Sequence, residues 1–134
     1  MPEYILTSRR WRVYLLILGL LGVTAWASTA VAGVAATDLR CELLTDPQGI
    51  DTTKPRLSWV LKAGARAQSQ FAYQILVASS EARLAAEKGD LCDSGKVVSS
   101  QSVLVPYGGK TLGSHAECFW KIRVWSDEKA VSGW

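Results

Sequence analysis

The chain is poor in the residues that metal or nucleophilic catalysis leans on: it has one histidine and three cysteines among 134 residues. His115 has no second metal-ligand candidate beside it, and no Ser or Cys stands in a nucleophile context, so neither a zinc site nor a triad is expected. No Gly-rich phosphate loop is present; Gly108-Gly109 reads as a turn. Internal repeats and low-complexity tracts are also absent. No metal and no cofactor are therefore expected. Positive charge is scarce where it would matter. The whole chain carries +3, but from Asp38 onward 12 Lys+Arg face 11 Asp+Glu, a net of +1. With no basic stripe, nucleic acid is not an expected partner. The odd cysteine count leaves at least one thiol free in an exported protein. Cys41 and Cys118 could face each other across a core, or all three could be buried small apolar residues.

Charge is missing altogether from Val13 to Ala36. A basic cluster (Arg9, Arg10, Arg12) precedes this run, which opens strongly apolar from Val13 to Leu21 and turns small and polar around Thr24 to Ala32. That order is the pattern of a secretory signal peptide. Residues 1–36 are read as the leader and residues 37–134 as the folded domain. Ala30-Val31-Ala32 fits the cleavage site, with the cut before Gly33, and Val34-Ala35-Ala36 is the second choice. The alternative is an uncleaved anchor, since the uncharged run is long enough to span a bilayer. The expected location is periplasmic or extracellular, with membrane contact only through an uncleaved leader.

Beyond the leader the dominant signal is alternation. Cys118 to Trp125 places Cys118, Trp120, Ile122 and Val124 on one face and Phe119, Lys121, Arg123 and Trp125 on the other. One face is apolar and belongs against a core; the mixed face belongs against solvent or a neighbouring domain. Asp38–Leu44 alternates, and so does Arg56–Leu61, with Leu57, Trp59 and Leu61 inward. Phe71–Val77 puts Phe71, Tyr73, Ile75 and Val77 on one face. Val97–Val105 has strand composition with a break near Ser99-Ser100. Ser79-Ser80 offers an N-cap for a short surface helix over Glu81–Lys88, with Gly89 past its end. Short strands separated by turns, such as Asp46-Pro47-Gln48-Gly49 and Asp93-Ser94-Gly95-Lys96, predict an all-β antiparallel sandwich.

Trp59 and the run from Trp120 resemble the core pattern of immunoglobulin and fibronectin type III-like sandwiches. More specifically, the chain from Asp38 resembles the N-terminal module of bacterial α-L-rhamnosidases, inverting glycoside hydrolases. The matching blocks are Leu39-Arg40-Cys41-Glu42, Pro47-x-Gly49-Ile50-Asp51, Pro55-Arg56-Leu57-Ser58-Trp59, Tyr73 to Ser80, Asp93 to Val97 and Trp120 to Trp125, in that order. Where relatives usually carry Trp before the Asp-Ser-Gly-Lys turn, this chain has Cys92. The resemblance implies a larger parent, with the catalytic carboxylates in a downstream helical barrel, so no catalytic residue is carried over. It also places the start of the seventh and last strand at Trp134, so the sandwich is expected to lack that strand.

Two carboxyls about 6.5–9.5 Å apart, one kept protonated, would be the signature of inverting hydrolysis. Glu117 and Asp127 flank the last long strand and are read instead as solvated turn residues. The candidate surface is the mixed face of that strand: Phe119, Lys121, Arg123 and Trp125. It reads as a docking patch for downstream domains, with sugar stacking as the competing use; the only polar partners on this strand are cations. Trp59 and Trp120 are read as core anchors, and Trp125 as outward-facing. Two functions remain open: a non-catalytic accessory module of an exported α-L-rhamnosidase, reaching rhamnose-containing glycans through the parent enzyme, or a free-standing secreted carbohydrate- or protein-binding module.

Overall fold

A computed structural model describes residues 33–134, so the expected leader, residues 1–36, lies almost wholly outside the described residues. The elements run β1 (Val34–Cys41), β2 (Arg56–Ala63), β3 (Ala72–Ala78), α1 (Glu81–Ala85), β4 (Cys92–Asp93), β5 (Val97–Val98), β6 (Val105–Pro106) and β7 (Phe119–Trp125). They form two antiparallel sheets. One has the order β1-β2-β6; in the other, β7 pairs along one edge of β3, while β4 and β5 share the opposite edge. This is the all-β sandwich that the alternation predicts.

The core lies between the sheets. Leu57 and Trp59 come from β2, Tyr73, Ile75 and Val77 from β3, and Ile122 and Val124 from β7, joined by Val34, Val105 and Tyr107. Trp59 and Tyr73 meet edge to face, centroids 5.2 Å apart at 63°, an arrangement that aromatic quadrupoles favour. The indole N–H of Trp59 needs a partner at 2% exposure, and it donates to Gln70 Oε1 at 2.9 Å. Gln70 then donates to the carbonyls of Ser99 and Gln101 at 2.9 and 2.8 Å. One buried carboxamide thus ties the central tryptophan to the place where the chain leaves β5 for β6. The expected break near Ser99-Ser100 is that crossing between sheets.

Several local expectations are corrected. The first strand starts at Val34, not Asp38, and ends at Cys41. Its register shifts between Thr37 and Arg40, where Asp38 takes φ 49°, so alternation read from Asp38 misses the first half. The expected domain boundary between residues 36 and 37 therefore falls inside β1. After Cys41 comes a tight turn in which Cys41 and Leu44 exchange backbone hydrogen bonds of 2.9 Å. Glu42 and Leu43 sit at φ 50° and 65°, the pair of positive angles of a type I′ turn. The helix is shorter than its composition suggests. Ser80 caps it by accepting from the Arg83 N–H at 3.3 Å, but Glu87 turns left-handed at φ 56° and closes it. Gly89 then passes so close to the Cys92 carbonyl and Leu76 that a Cβ has no room. Phe71 precedes β3 and stands outside the core cluster. All three cysteines are free thiols, each half-buried.

After β7 the chain turns at Asp127, whose Oδ1 accepts from the N–H groups of Lys129 and Ala130, both at 2.8 Å. It then returns alongside β7. Val131 bridges to Trp125, and the Ser132 N–H donates to the Val124 carbonyl at 2.8 Å. The return pairs with only the end of β7. Among the described residues no strand pairs with Trp120 to Ile122 on that side.

Candidate docking surface

β7 positions the candidate surface, because alternate side chains of a strand leave on opposite faces. Ile122 and Val124 enter the core; Phe119, Lys121, Arg123 and Trp125 leave on the outer face, with the parity expected from the sequence. Exposure does not follow the expectation. Trp125 is 9% exposed, and Phe119, Lys121 and Arg123 are half-buried. Trp120, expected to be a core anchor, is only half-buried at the margin of the core cluster. Of the two β7 tryptophans, the outer one is the more deeply covered.

The cover is an alternating row of rings and cations. Lys96 Nζ lies 5.5 Å from the centroid of the Phe71 ring and 5.1 Å from that of Trp125. Arg123 Cζ lies 5.3 Å from the Trp125 centroid and 4.4 Å from that of Trp134. Lys121 Nζ lies 4.8 Å from the Trp134 centroid. All five separations fall within the range where a ring quadrupole attracts a cation. Phe71, Lys96 and Trp134 were not legible as members, because they come from the residue before β3, the β4–β5 turn and the last described residue. The row thus joins Lys121, Arg123 and Trp125 to Phe71, Lys96 and Trp134, and Phe119 lies on the same face of β7 by register.

Hydrogen bonds hold the row in place. Arg123 donates twice to Gln74 Oε1, at 3.0 and 2.7 Å, and Gln74 Nε2 donates to Asp93 Oδ1 at 2.7 Å. The same oxygen accepts from the Gly95 N–H at 2.9 Å. The Gln74 bond, then the Gly95 bond, then the charge of Arg123 lower the pKa of Asp93, so this carboxylate is a fixed acceptor rather than a proton donor. Lys96 donates to the Glu128 carbonyl at 3.0 Å. Such a surface can dock another surface through Lys121, Arg123 and the edge of Trp134. It offers Trp125 poorly as a flat sugar platform, because Lys96 and Arg123 already occupy its neighbourhood.

The other residues named from sequence are not gathered into a site. Glu117 and His115 are exposed, in the loop before β7. Asp127 lies past the opposite end of β7, and the Ala130 and Lys129 N–H groups lower its pKa. A lowered carboxyl is the reverse of what a general acid needs. Among the described residues no group of three His, Cys, Asp or Glu side chains is placed to hold a metal ion. Burial raises the pKa of Cys41, Cys92 and Cys118, which makes them poor nucleophiles. A cleft of about 370 Å³ opens between β4–β5 and β6, lined by Tyr73, Tyr107, Asp93 and aliphatic residues. Asp93 is its sole carboxylate.

A second fixture ties two sequence blocks together. Glu42 Oε1 accepts from the Arg56 N–H at 2.7 Å, and both of its oxygens take the Arg56 guanidinium, the shortest contact being 2.7 Å. The Glu42 N–H donates to the Arg56 carbonyl at 2.8 Å. This fork-to-fork geometry locks the type I′ turn onto the start of β2. It also explains why Leu39–Glu42 and Pro55–Trp59 belong to one pattern.

Residues 36–134 match the family described as Rha78A-like, N-terminal immunoglobulin domain. The chain is 42% identical over 104 residues to an α-L-rhamnosidase of Streptomyces avermitilis, covering 78% of this chain and 10% of that protein. To an α-L-rhamnosidase of Formosa agariphila it is 40% identical over 90 residues, covering 67% and 10%. Among solved structures it is similar to the Streptomyces avermitilis α-L-rhamnosidase complexed with L-rhamnose, with TM-score 0.65, 46% identity, and 69% of this chain and 9% of that one covered. It is also similar to the α-L-rhamnosidase from Dictyoglumus thermophilum, with TM-score 0.68, 39% identity, and 74% and 11% covered. The chain thus spans about a tenth of the length of the curated relatives it matches. With two sheets, core and ordered sequence blocks in agreement, the chain belongs to the family of Rha78A-like N-terminal immunoglobulin domains.

Proposed function

We propose that this chain acts as the non-catalytic N-terminal accessory module of an exported α-L-rhamnosidase. The observation that carries the proposal is the match of the folded unit to a first domain that makes up about a tenth of each relative. The chemistry of the surface agrees with it, since the carboxyls of Asp93 and Asp127 are held low by neighbouring donors, the reverse of what a general acid needs. In this reading the domain packs against the modules that follow it and helps shape the parent enzyme. The outer face of β7 is the docking side, presented through Phe119, Lys121 and Arg123 with Trp134, while Trp125 braces it from beneath. Rhamnose-containing glycans are met by the parent's catalytic domain, not by this module. Export to the periplasm or the medium is part of the same proposal and rests on the order of residues in the leader.

The test is the coding DNA beyond the codon for Trp134. A reading frame that continues, directly or after a frameshift, into a glycoside hydrolase domain is the expected result. A stop followed by unrelated sequence would contradict the proposal and favour a free-standing binding module.

A further inference from the structure

We propose that the cleft between β4–β5 and β6 is a binding site for a small uncharged aromatic ring that carries one hydroxyl group. The cleft lies at the edge of β3 opposite to β7, away from the docking face, and its use does not depend on the parent enzyme. Strands β4, β5 and β6 are two residues long and form the edges of the two sheets on this side. Between β4 and β5, Ser94 stands in for the ladder: its Oγ accepts from the Ile75 N–H at 2.9 Å, and its N–H donates to the Ile75 carbonyl at 3.0 Å. The sheets are tied at both ends of the gap. At one end Gln70 links Trp59 to the carbonyls of Ser99 and Gln101; at the other the Tyr107 hydroxyl donates to the Leu91 carbonyl at 3.1 Å. Between these ties the sheets part, and buried core side chains form the floor of the opening.

The lining selects the ligand. Leu57, Ile75, Val97 and Val105 present aliphatic surface, and Tyr73 and Tyr107 present rings. The volume of about 370 Å³ falls within the range of about 300–1,000 Å³ of small-molecule sites, which are mostly apolar with a few placed polar groups. An apolar cavity of about 150 Å³ is enough for benzene. No lysine, arginine or histidine lines the cleft, and Asp93 turns its carboxylate to Gln74 on the outer face of the sheet and to the Gly95 N–H. A charged ligand would lose hydration here without gaining a counter-charge. One polar group remains for a ligand to use. Tyr73 is 9% exposed, its hydroxyl makes no hydrogen bond among the described residues, and it is not sealed from solvent. Burial raises its pKa, so at neutral pH the hydroxyl is a protonated donor. A ring seated on the aliphatic floor brings its own hydroxyl to that donor and satisfies it.

The experiment titrates the purified chain with phenol, and in parallel with toluene, and follows the backbone amides by NMR. Phenol should give saturable shifts at Cys92, Val97, Val105 and Gly108, with none at Lys121 or Arg123, and a Kd on the order of 1 mM. Tyr73→Phe keeps the ring and removes the hydroxyl; it should weaken phenol about fivefold and leave toluene unchanged. Cys92→Trp places an indole in the cleft and should abolish binding of both probes. Val97→Trp fills the cleft from β5 and serves where Cys92→Trp does not fold. The absence of saturable shifts with phenol, or shifts confined to the outer face of β7, would overturn the proposal. So would phenol affinity unchanged in Tyr73→Phe, or binding that persists in a folded variant whose cleft is filled.

Discussion

The two faces of the sheet that carries β3 and β7 are both covered, by different physics. The inner face is dry and aliphatic-aromatic, with Tyr73, Ile75, Val77, Ile122 and Val124 packed against Trp59 from the other sheet. Its stability comes from area removed from water and from close packing. Among the described residues no second sheet covers the outer face. Helix α1 packs against β3 and β7 at one end, where Leu76 and Ala78 are buried. At the other end a row of rings and cations covers Trp125. Alternation in a strand says which side a residue faces; it does not say whether that side is covered. Cover depends on residues that arrive from elsewhere in the chain.

The sharpest way to break this comparison is to empty each face in turn. Trp59→Ala removes the centre of the inner face and also orphans the carboxamide oxygen of Gln70 that accepts from it. It should cost about 3–5 kcal/mol in a urea melt. Trp125→Ala should cost less, about 2–3 kcal/mol, because water can reach the cations it leaves behind. A loss at position 125 as small as that of Trp134→Ala, a residue 36% exposed, would mean that the row does not cover the outer face. Arg123→Met keeps most of the stem but removes two bonds to Gln74 and the contacts with two rings. It should cost roughly 1 kcal/mol, with a visible change in tryptophan fluorescence. An unchanged spectrum and melt would reduce the row to coincidence.

Acid should weaken the molecule through the outer face and the chain edges, not through the core. The Ser79 hydroxyl and N–H, aided by Arg83, lower the pKa of Asp90 from 3.8 to about 2. Gln74, Gly95 and Arg123 lower that of Asp93, and Arg56 lowers that of Glu42. A carboxyl depressed on folding contributes stability that is present above its ordinary pKa and is lost as pH falls through the folded value. The urea midpoint should therefore hold from pH 7 down to about 5 and fall between about 4 and 2. A midpoint that does not change down to pH 2 would show that these bonds stabilise nothing.

Much of the inner face was legible in the sequence, because Leu57, Trp59, Tyr73, Ile75, Val77, Ile122 and Val124 sit at period two in strong strand composition. The first half of β1 was not. Val34–Ala36 reads as the small-residue end of a leader, and the irregular register at Asp38 breaks the period. Gln70 was not legible as a core residue, since nothing local marks a carboxamide that bonds residues 29 and 31 positions away. Phe119, Lys121, Arg123 and Trp125 were legible as one face. That Trp125 would lie beneath the cations depends on Lys96, which comes from the β4–β5 turn and not from the sequence around β7.

The proposed role of this chain is that of a structural module whose parent enzyme carries the chemistry. The most direct test incubates the purified chain with an aryl α-L-rhamnoside and follows release of the aryl alcohol. No turnover above buffer is the predicted result. Turnover that survives purification and disappears in Glu117→Gln or Asp127→Asn would contradict the claim and return those carboxyls to the active role denied them here.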